Sequence, residues 1–114
     1  MVAEGRLVMK VYIAGPMTGH DDHNHPAFHE AAEIWSEMGH IVLNPATHPV
    51  GLSFADYMHI DLAMVDICDM VIFLQGWEQS KGAQLEHAHA KRLGKGIAYE
   101  REGTDGYSTT DTDG

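Results

Sequence analysis

The apolar positions of this 114-residue chain fall into short runs that alternate with stretches of helical spacing. Val8–Ala14 is largely apolar, carries β-branched side chains and stops at Gly15-Pro16. A run of that length with no polar face predicts a buried parallel strand. Met17–His25 is polar and reads as a loop. From Pro26 to Met38 the apolar residues recur at Phe28, Ala31, Ala32, Trp35 and Met38, which predicts a helix with one apolar face. Proline is tolerated in its first turn, and Gly39 supplies the stop. His40–Leu43 reads as a second strand closed by Asn44-Pro45, and residues 46–53 as a loop. Ser53, with Asp56 three residues on, has the form of a capping box and predicts a helix to about Cys68. Met70–Leu74 is apolar throughout and reads as a central third strand. Lys81–Leu93, stopped by Gly94, reads as a third helix, and Gly96–Tyr99 as a shorter fourth strand.

Strands alternating with helices imply a parallel sheet covered on both faces. The expected fold is α/β: a flavodoxin-like, Rossmann-like three-layer sandwich with a four- to five-stranded parallel sheet in the order 2-1-3-4. That order reverses beside the first strand, so a ligand crevice is expected at the carboxyl ends of strands 1 and 3. Loops 15–25 and 75–80 lie there. The expected organisation is an N-terminal extension over 1–8, one domain over 9–100 and a flexible tail over 101–114. The composition of that tail offers no apolar surface to bury.

Composition narrows the class. Hydrophobic residues at 44% and charged residues at 21% are ordinary for a soluble globular protein. No apolar run approaches the length of a membrane span, and the first residues lack a signal-peptide pattern. The single cysteine, Cys68, excludes an internal disulfide framework and suits a reducing compartment, so a cytoplasmic location is expected. The formal net charge is −10, of which −3 falls in residues 101–114 and −7 in residues 1–100. Such a domain repels a phosphate polymer, so neither nucleic acid nor membrane is an expected partner. A small phosphorylated ligand stays open, because local N–H groups can outweigh net charge.

The chemistry concentrates in Ser80-Lys81-Gly82-Ala83-Gln84-Leu85-Glu86, which follows the third strand and its turn. A helix start offers free N–H groups and a positive dipole to an anion, and Glu86 would hang below that site. The plain alternative is a capped surface helix with a solvated glutamate. Asp61 has Met58, Leu62 and Val65 as helical neighbours, which places its carboxyl on or beside an apolar stripe. Burial there would raise its pKa, as a general acid requires; a boundary residue reaching solvent is the other reading. Two carboxyls in one pocket would permit a glycosidase-type pair. Tyr12 could orient a carboxylate or simply favour a strand. Gly15 and Thr18 follow at the strand end, where the glycine allows close approach of a ligand or serves an ordinary turn. Trp77 could stack on a base or shield the core. His20, His23 and His25 cluster with Asp21 and Asp22, yet no hydrolytic metal spacing is present, and neither metal nor cofactor is expected. Cys68 has no cationic neighbour in sequence and reads as a buried structural thiol. Gly94-Lys95 is not a phosphate-binding loop of the P-loop kind.

The combination of Tyr12-Ile13-Ala14-Gly15-Pro16-Met17-Thr18-Gly19, Asn44-Pro45-Ala46, Tyr57–Leu62, Cys68–Leu74 and Gly76–Glu86 resembles the nucleoside 2-deoxyribosyltransferase-like superfamily, over about residues 9–99. The nearest likeness is to a small branch common in phage genomes. The resemblance implies an enzyme that cleaves the base–sugar bond of a 2′-deoxynucleoside or its 5′-monophosphate, as an N-glycosidase or a deoxyribosyltransferase. It implies Glu86 as nucleophile at C1′, Tyr12 as its holder and Asp61 as the group that protonates the departing base. It assigns Ser80 and Gly82 to a 5′-phosphate; Gly15, Pro16, Met17, Thr18 and Trp77 are the further residues expected to bind substrate. It also implies a homodimer, which Tyr57, Met58, Met64 and Val65 around the second helix would favour as surplus apolar surface. The alternative is a non-catalytic module that senses or sequesters a nucleotide.

Overall fold

The computed structural model describes residues 7–101 and 106–109. Its elements are β1 (Lys10–Ala14), α1 (His25–Glu37), β2 (Ile41–Leu43), α2 (Phe54–Ile67), β3 (Met70–Phe73), α3 (Lys81–Leu93), β4 (Gly96–Glu100) and β5 (Tyr107–Ser108). Single 3-10 turns occupy Asp21–Asn24, Pro45–Thr47 and Trp77–Gln79. The sheet runs β2-β1-β3-β4-β5. β1 through β4 pair in parallel, and β5 joins β4 antiparallel. The register sets Tyr12 opposite Val71 and Ala14 opposite Phe73, so β1 and β3 end level beside the point where the strand order reverses.

Alternation along the strands builds the layers. Val11, Ile13, Ile72 and Leu74 turn to one face, where Phe28, Ala31 and Trp35 of α1 cover them. Tyr12, Ala14, Val71 and Phe73 turn to the other, against Val65 of α2, Cys68 and Ala90 of α3. The helix ends follow the sequence closely. Ser53 Oγ accepts from the Asp56 N–H at 3.0 Å while an Asp56 carboxylate oxygen accepts from the Ser53 N–H at 3.3 Å, completing the capping box. Gly94 closes α3 in the left-handed region, with φ 73°.

Two expectations change. The segment after Arg101 was read as burying nothing, yet Tyr107 sits in β5 and packs edge-on against Trp35 with ring centroids 5.2 Å apart. One aromatic side chain and a short ladder on an open strand edge supply what the average composition of the segment hides. The extension at 1–8 and the rest of the tail lie almost wholly outside the described residues. The second change concerns α2. Met58 and Val65 are buried within the subunit, because α2 packs against both α3 and β1 and presents a broad inward arc. Its exposed apolar residues are Phe54 and Ile67, at its two ends.

Candidate active site

The carboxyl ends of the strands hold a constellation of four polar side chains. Tyr12, the third residue of β1, points to the α2–α3 face and is fully buried. Its hydroxyl donates to Glu86 Oε2 at 2.8 Å. Glu86 stands on α3 and is 4% exposed. Its position is set by the helix start. Ser80 Oγ accepts from the Ala83 N–H at 3.1 Å, and the Ser80 N–H donates to the Trp77 carbonyl at 3.0 Å. Of the first-turn donors this leaves the N–H groups of Lys81 and Gly82 without helical acceptors.

Asp61 comes from the middle of α2 and is 9% exposed. Its Oδ1 lies 2.8 Å from His48 Nε2. His48 follows the turn Pro45–Thr47, where Asn44 Oδ1 accepts from the Ala46 N–H at 2.9 Å. The His48 ring stacks on Tyr57 at 6.3 Å between centroids. The Tyr57 hydroxyl donates to the Pro49 carbonyl at 2.7 Å and accepts from the Leu52 N–H at 3.2 Å. One tyrosine thus fixes both the histidine and the loop that carries it.

Burial dominates the electrostatics. It raises Glu86 well above the ordinary carboxylate range; the negative charge of Asp61 adds to the rise and the Tyr12 hydroxyl opposes it. Burial also raises Asp61, against the pull of His48. Tyr12 is held well above the usual phenol range by burial, then by the charges of Glu86 and Asp61. Two carboxyls that resist ionising together behave as a pair holding one shared proton. Such a pair can present a carboxylate and a carboxylic acid at the same pH.

A cleft of about 800 Å³ opens above this constellation. Tyr12, Gly15, Pro16, Met17, Thr18, Asp61, Ser80, Gly82 and Glu86 all line it. Trp77, expected in the substrate site, does not. Its ring stacks on His87 at 4.3 Å and meets Phe73 at 5.0 Å, on the β4 side of α3. The apolar neighbours of that turn drew it into packing, which was the alternative reading of its sequence position. The two glycines serve packing as well as the cleft. A Cβ at Gly15 would stand 2.9 Å from Leu74 Cβ, so glycine lets the ends of β1 and β3 lie side by side. A Cβ at Gly82 would meet Met58 Sδ at 3.3 Å, so glycine lets the start of α3 approach α2.

His48 is the residue that the sequence reading missed. Its one signal was its place in the loop after the second strand, at the same end of the sheet as the crevice. Cys68 is buried, donates to the Val65 carbonyl at 3.2 Å and has its thiol pushed up to about 11 by burial. Among the described residues no group of three His, Cys, Asp or Glu side chains is arranged to hold a metal ion. No helix among them is long and apolar enough to cross a membrane.

This architecture is that of the deoxyribosyltransferase fold. The structure is similar to a 2-desoxiribosyltransferase from Leishmania mexicana, with a TM-score of 0.63 and 21% identity, over 90% of this chain and 79% of that one. At that identity the likeness is one of fold. Residues 9–99 match the family model described as Domain of unknown function (DUF4406), and the chain belongs to that family. A search of the curated proteins finds no match.

Proposed function

We propose that the protein cleaves the N-glycosidic bond of a 2′-deoxynucleoside or its 5′-monophosphate through Glu86. The observation that carries this reading is the buried 2.8 Å bond from the Tyr12 hydroxyl to Glu86, in one cleft with the Asp61–His48 pair. The Leishmania mexicana protein of like fold, a 2-desoxiribosyltransferase, supports the reaction class.

With the shared proton moved onto Asp61, Glu86 as carboxylate attacks C1′, and a C1′–O bond forms as the C1′–N bond breaks. The electron pair leaves with the base nitrogen, which takes the proton of Asp61. Asp61 is then a carboxylate beside His48. The contact from His48 Nε2 to Asp61 Oδ1 serves either proton position: acid to neutral imidazole, or imidazolium to carboxylate. Water, or the nitrogen of a second base, then attacks C1′ while Asp61 accepts its proton, and Glu86 departs as carboxylate. Tyr12 stabilises the ionised form of Glu86 in a site that otherwise disfavours charge. The Lys81 and Gly82 N–H groups at the start of α3 suit a 5′-phosphate. A homodimer is part of this proposal, checked by light scattering at micromolar concentration.

The deciding experiment incubates the pure protein at high concentration with a panel of deoxynucleosides and their 5′-monophosphates. Release of free base from one or more, absent in Glu86→Gln, is the expected result. No base from any member of the panel overturns the proposal. Nucleotide binding without turnover, unchanged in Glu86→Gln, would establish a binding module in its place.

A further inference from the structure

One wall of the cleft has no part in that chemistry. The turn after β1 contributes His20, His23 and His25 to the lining, in which Lys81 is the single lysine. Asp22, His23 and Asn24 all take positive φ, at 52°, 52° and 62°. Asn24 Nδ2 donates to the Pro16 carbonyl at 2.9 Å and ties the turn back to the strand end. The His23 and His25 rings lie 5.8 Å apart, and His25 and His29 6.0 Å apart. His23 and His25 thus stand side by side on the wall, with His20 on the same turn. They do not converge on a point, as donors to a metal ion would. A set of N–H donors on one wall suits an extended anion.

The cleft is also roomy for a nucleoside. Small-molecule pockets run from about 300 to about 1,000 Å³, and about 800 Å³ lies toward the top of that range. Its floor carries Asp61 and Glu86, which repel phosphate, so an anionic tail would lie away from the floor and along the wall.

We propose that His20, His23 and His25 form an anion subsite that takes the outer phosphates of a nucleoside di- or triphosphate. This rests on the reading of the cleft as a nucleotide site, and it adds a substrate length to that reading. The charged and titratable groups around these histidines are Asp21 and Asp22 on the same turn, His29 on α1, Lys81 and His48 elsewhere in the lining, and the floor carboxyls. Asp21 and Asp22 are exposed and screened by solvent.

The test is an affinity series with one base and sugar and one, two or three 5′-phosphates, measured by calorimetry at constant ionic strength without divalent cations. At neutral pH affinity is expected to rise about tenfold from mono- to triphosphate. The variant His20→Gln/His23→Asn/His25→Gln should flatten the series. His23→Asn alone, at an exposed position whose backbone asparagine tolerates, should flatten it in part should the triple variant misfold. Equal affinity for all three nucleotides, or a rise that survives in a folded variant, overturns the subsite. Base release from monophosphates is measured on the same preparation. Release with a flat series overturns the subsite alone; a rising series with no release at all overturns the glycosidase reading alone.

Discussion

Glu86 and His87 are neighbours on α3 and live in different worlds. Glu86 turns toward β1 and meets the Tyr12 hydroxyl and the Asp61 carboxyl in a buried cleft that disfavours its charge. His87 turns toward β4 and is enclosed by aromatic rings: Trp77 at 4.3 Å, Phe73 at 4.9 Å and Tyr99 at 5.9 Å. Its Nε2 lies 2.7 Å from the Tyr99 hydroxyl. One side of the helix therefore keeps a carboxylate under electrostatic stress, and the other side is stacked and polar-satisfied. A stressed, desolvated carboxyl on the floor of a cleft is what a fold built for stability alone avoids. The aromatic side supplies the rigidity that holds the stressed side in place.

The largest effect separates the two sides by activity. Glu86→Gln keeps the shape and an acceptor for Tyr12 but has no nucleophilic oxygen pair, so base release should fall at least about 10³-fold. Measured by chromatography of released base, a variant within tenfold of wild type would break the comparison. Asp61→Asn comes next. It cannot donate the acid proton and should lower the rate by roughly 10²- to 10⁴-fold. The loss should be smallest for substrates whose base leaves without protonation. An equal loss for good and poor leaving groups would remove Asp61 from the acid role.

The two sides also differ in how well the sequence announced them. The strand order, the capping box at Ser53 and the stop at Gly94 were all legible, because each is set by local chemistry: apolar runs, a hydroxyl three residues before a carboxylate, a glycine free to take positive φ. Glu86, Asp61 and Tyr12 were legible as candidates because the switch point of an α/β sheet predicts where its ligands lie. The Tyr12–Glu86 bond joins residues 74 apart, and nothing in the spacing alone dictates such a contact. His48 was missed for a related reason. It sits in a proline-rich loop with no periodicity, and its place depends on contacts distant in sequence, among them Asp61 and the Tyr57 hydroxyl, eight residues beyond Pro49. Trp77 kept two readings because an aromatic in a crevice loop reads the same whether it faces ligand or core. Tyr107 was lost in the polar average of its surroundings.

Trp77→Ala tests the aromatic side. The ring is partly exposed, so the loss should be about 1–3 kcal/mol of stability, below the cost of a fully buried tryptophan. Base release per folded molecule should stay within about threefold of wild type, since the ring touches no part of the cleft. Denaturant melts read against activity on the same sample decide this. A large loss of activity with unchanged stability would return Trp77 to the substrate.

The smallest effect is a stability difference that depends on pH. Burial raises Glu86 above its unfolded value, so the folded chain holds that proton more tightly than the unfolded chain does. Its contribution is therefore full below the unfolded carboxylate range and is lost as pH rises through the folded pKa. Glu86→Gln removes that titration. At pH 4 the variant and the wild type should melt close together, because the wild-type side chain is protonated and the glutamine resembles it in shape and hydrogen bonding. At pH 8 the wild type must either ionise in a buried site or hold a proton against solution, and the variant should melt higher by a few degrees. Asp61 is raised by the same cause and remains in both proteins, so it cancels only in so far as the two carboxyls titrate independently. Repeating the pair of melts in an Asp61→Asn background removes that coupling and should shrink the pH dependence of the difference. A variant less stable than wild type at pH 8 in both backgrounds would show that the Tyr12–Glu86 bond stabilises the fold by more than the buried charge costs, and the two sides of α3 would then be alike.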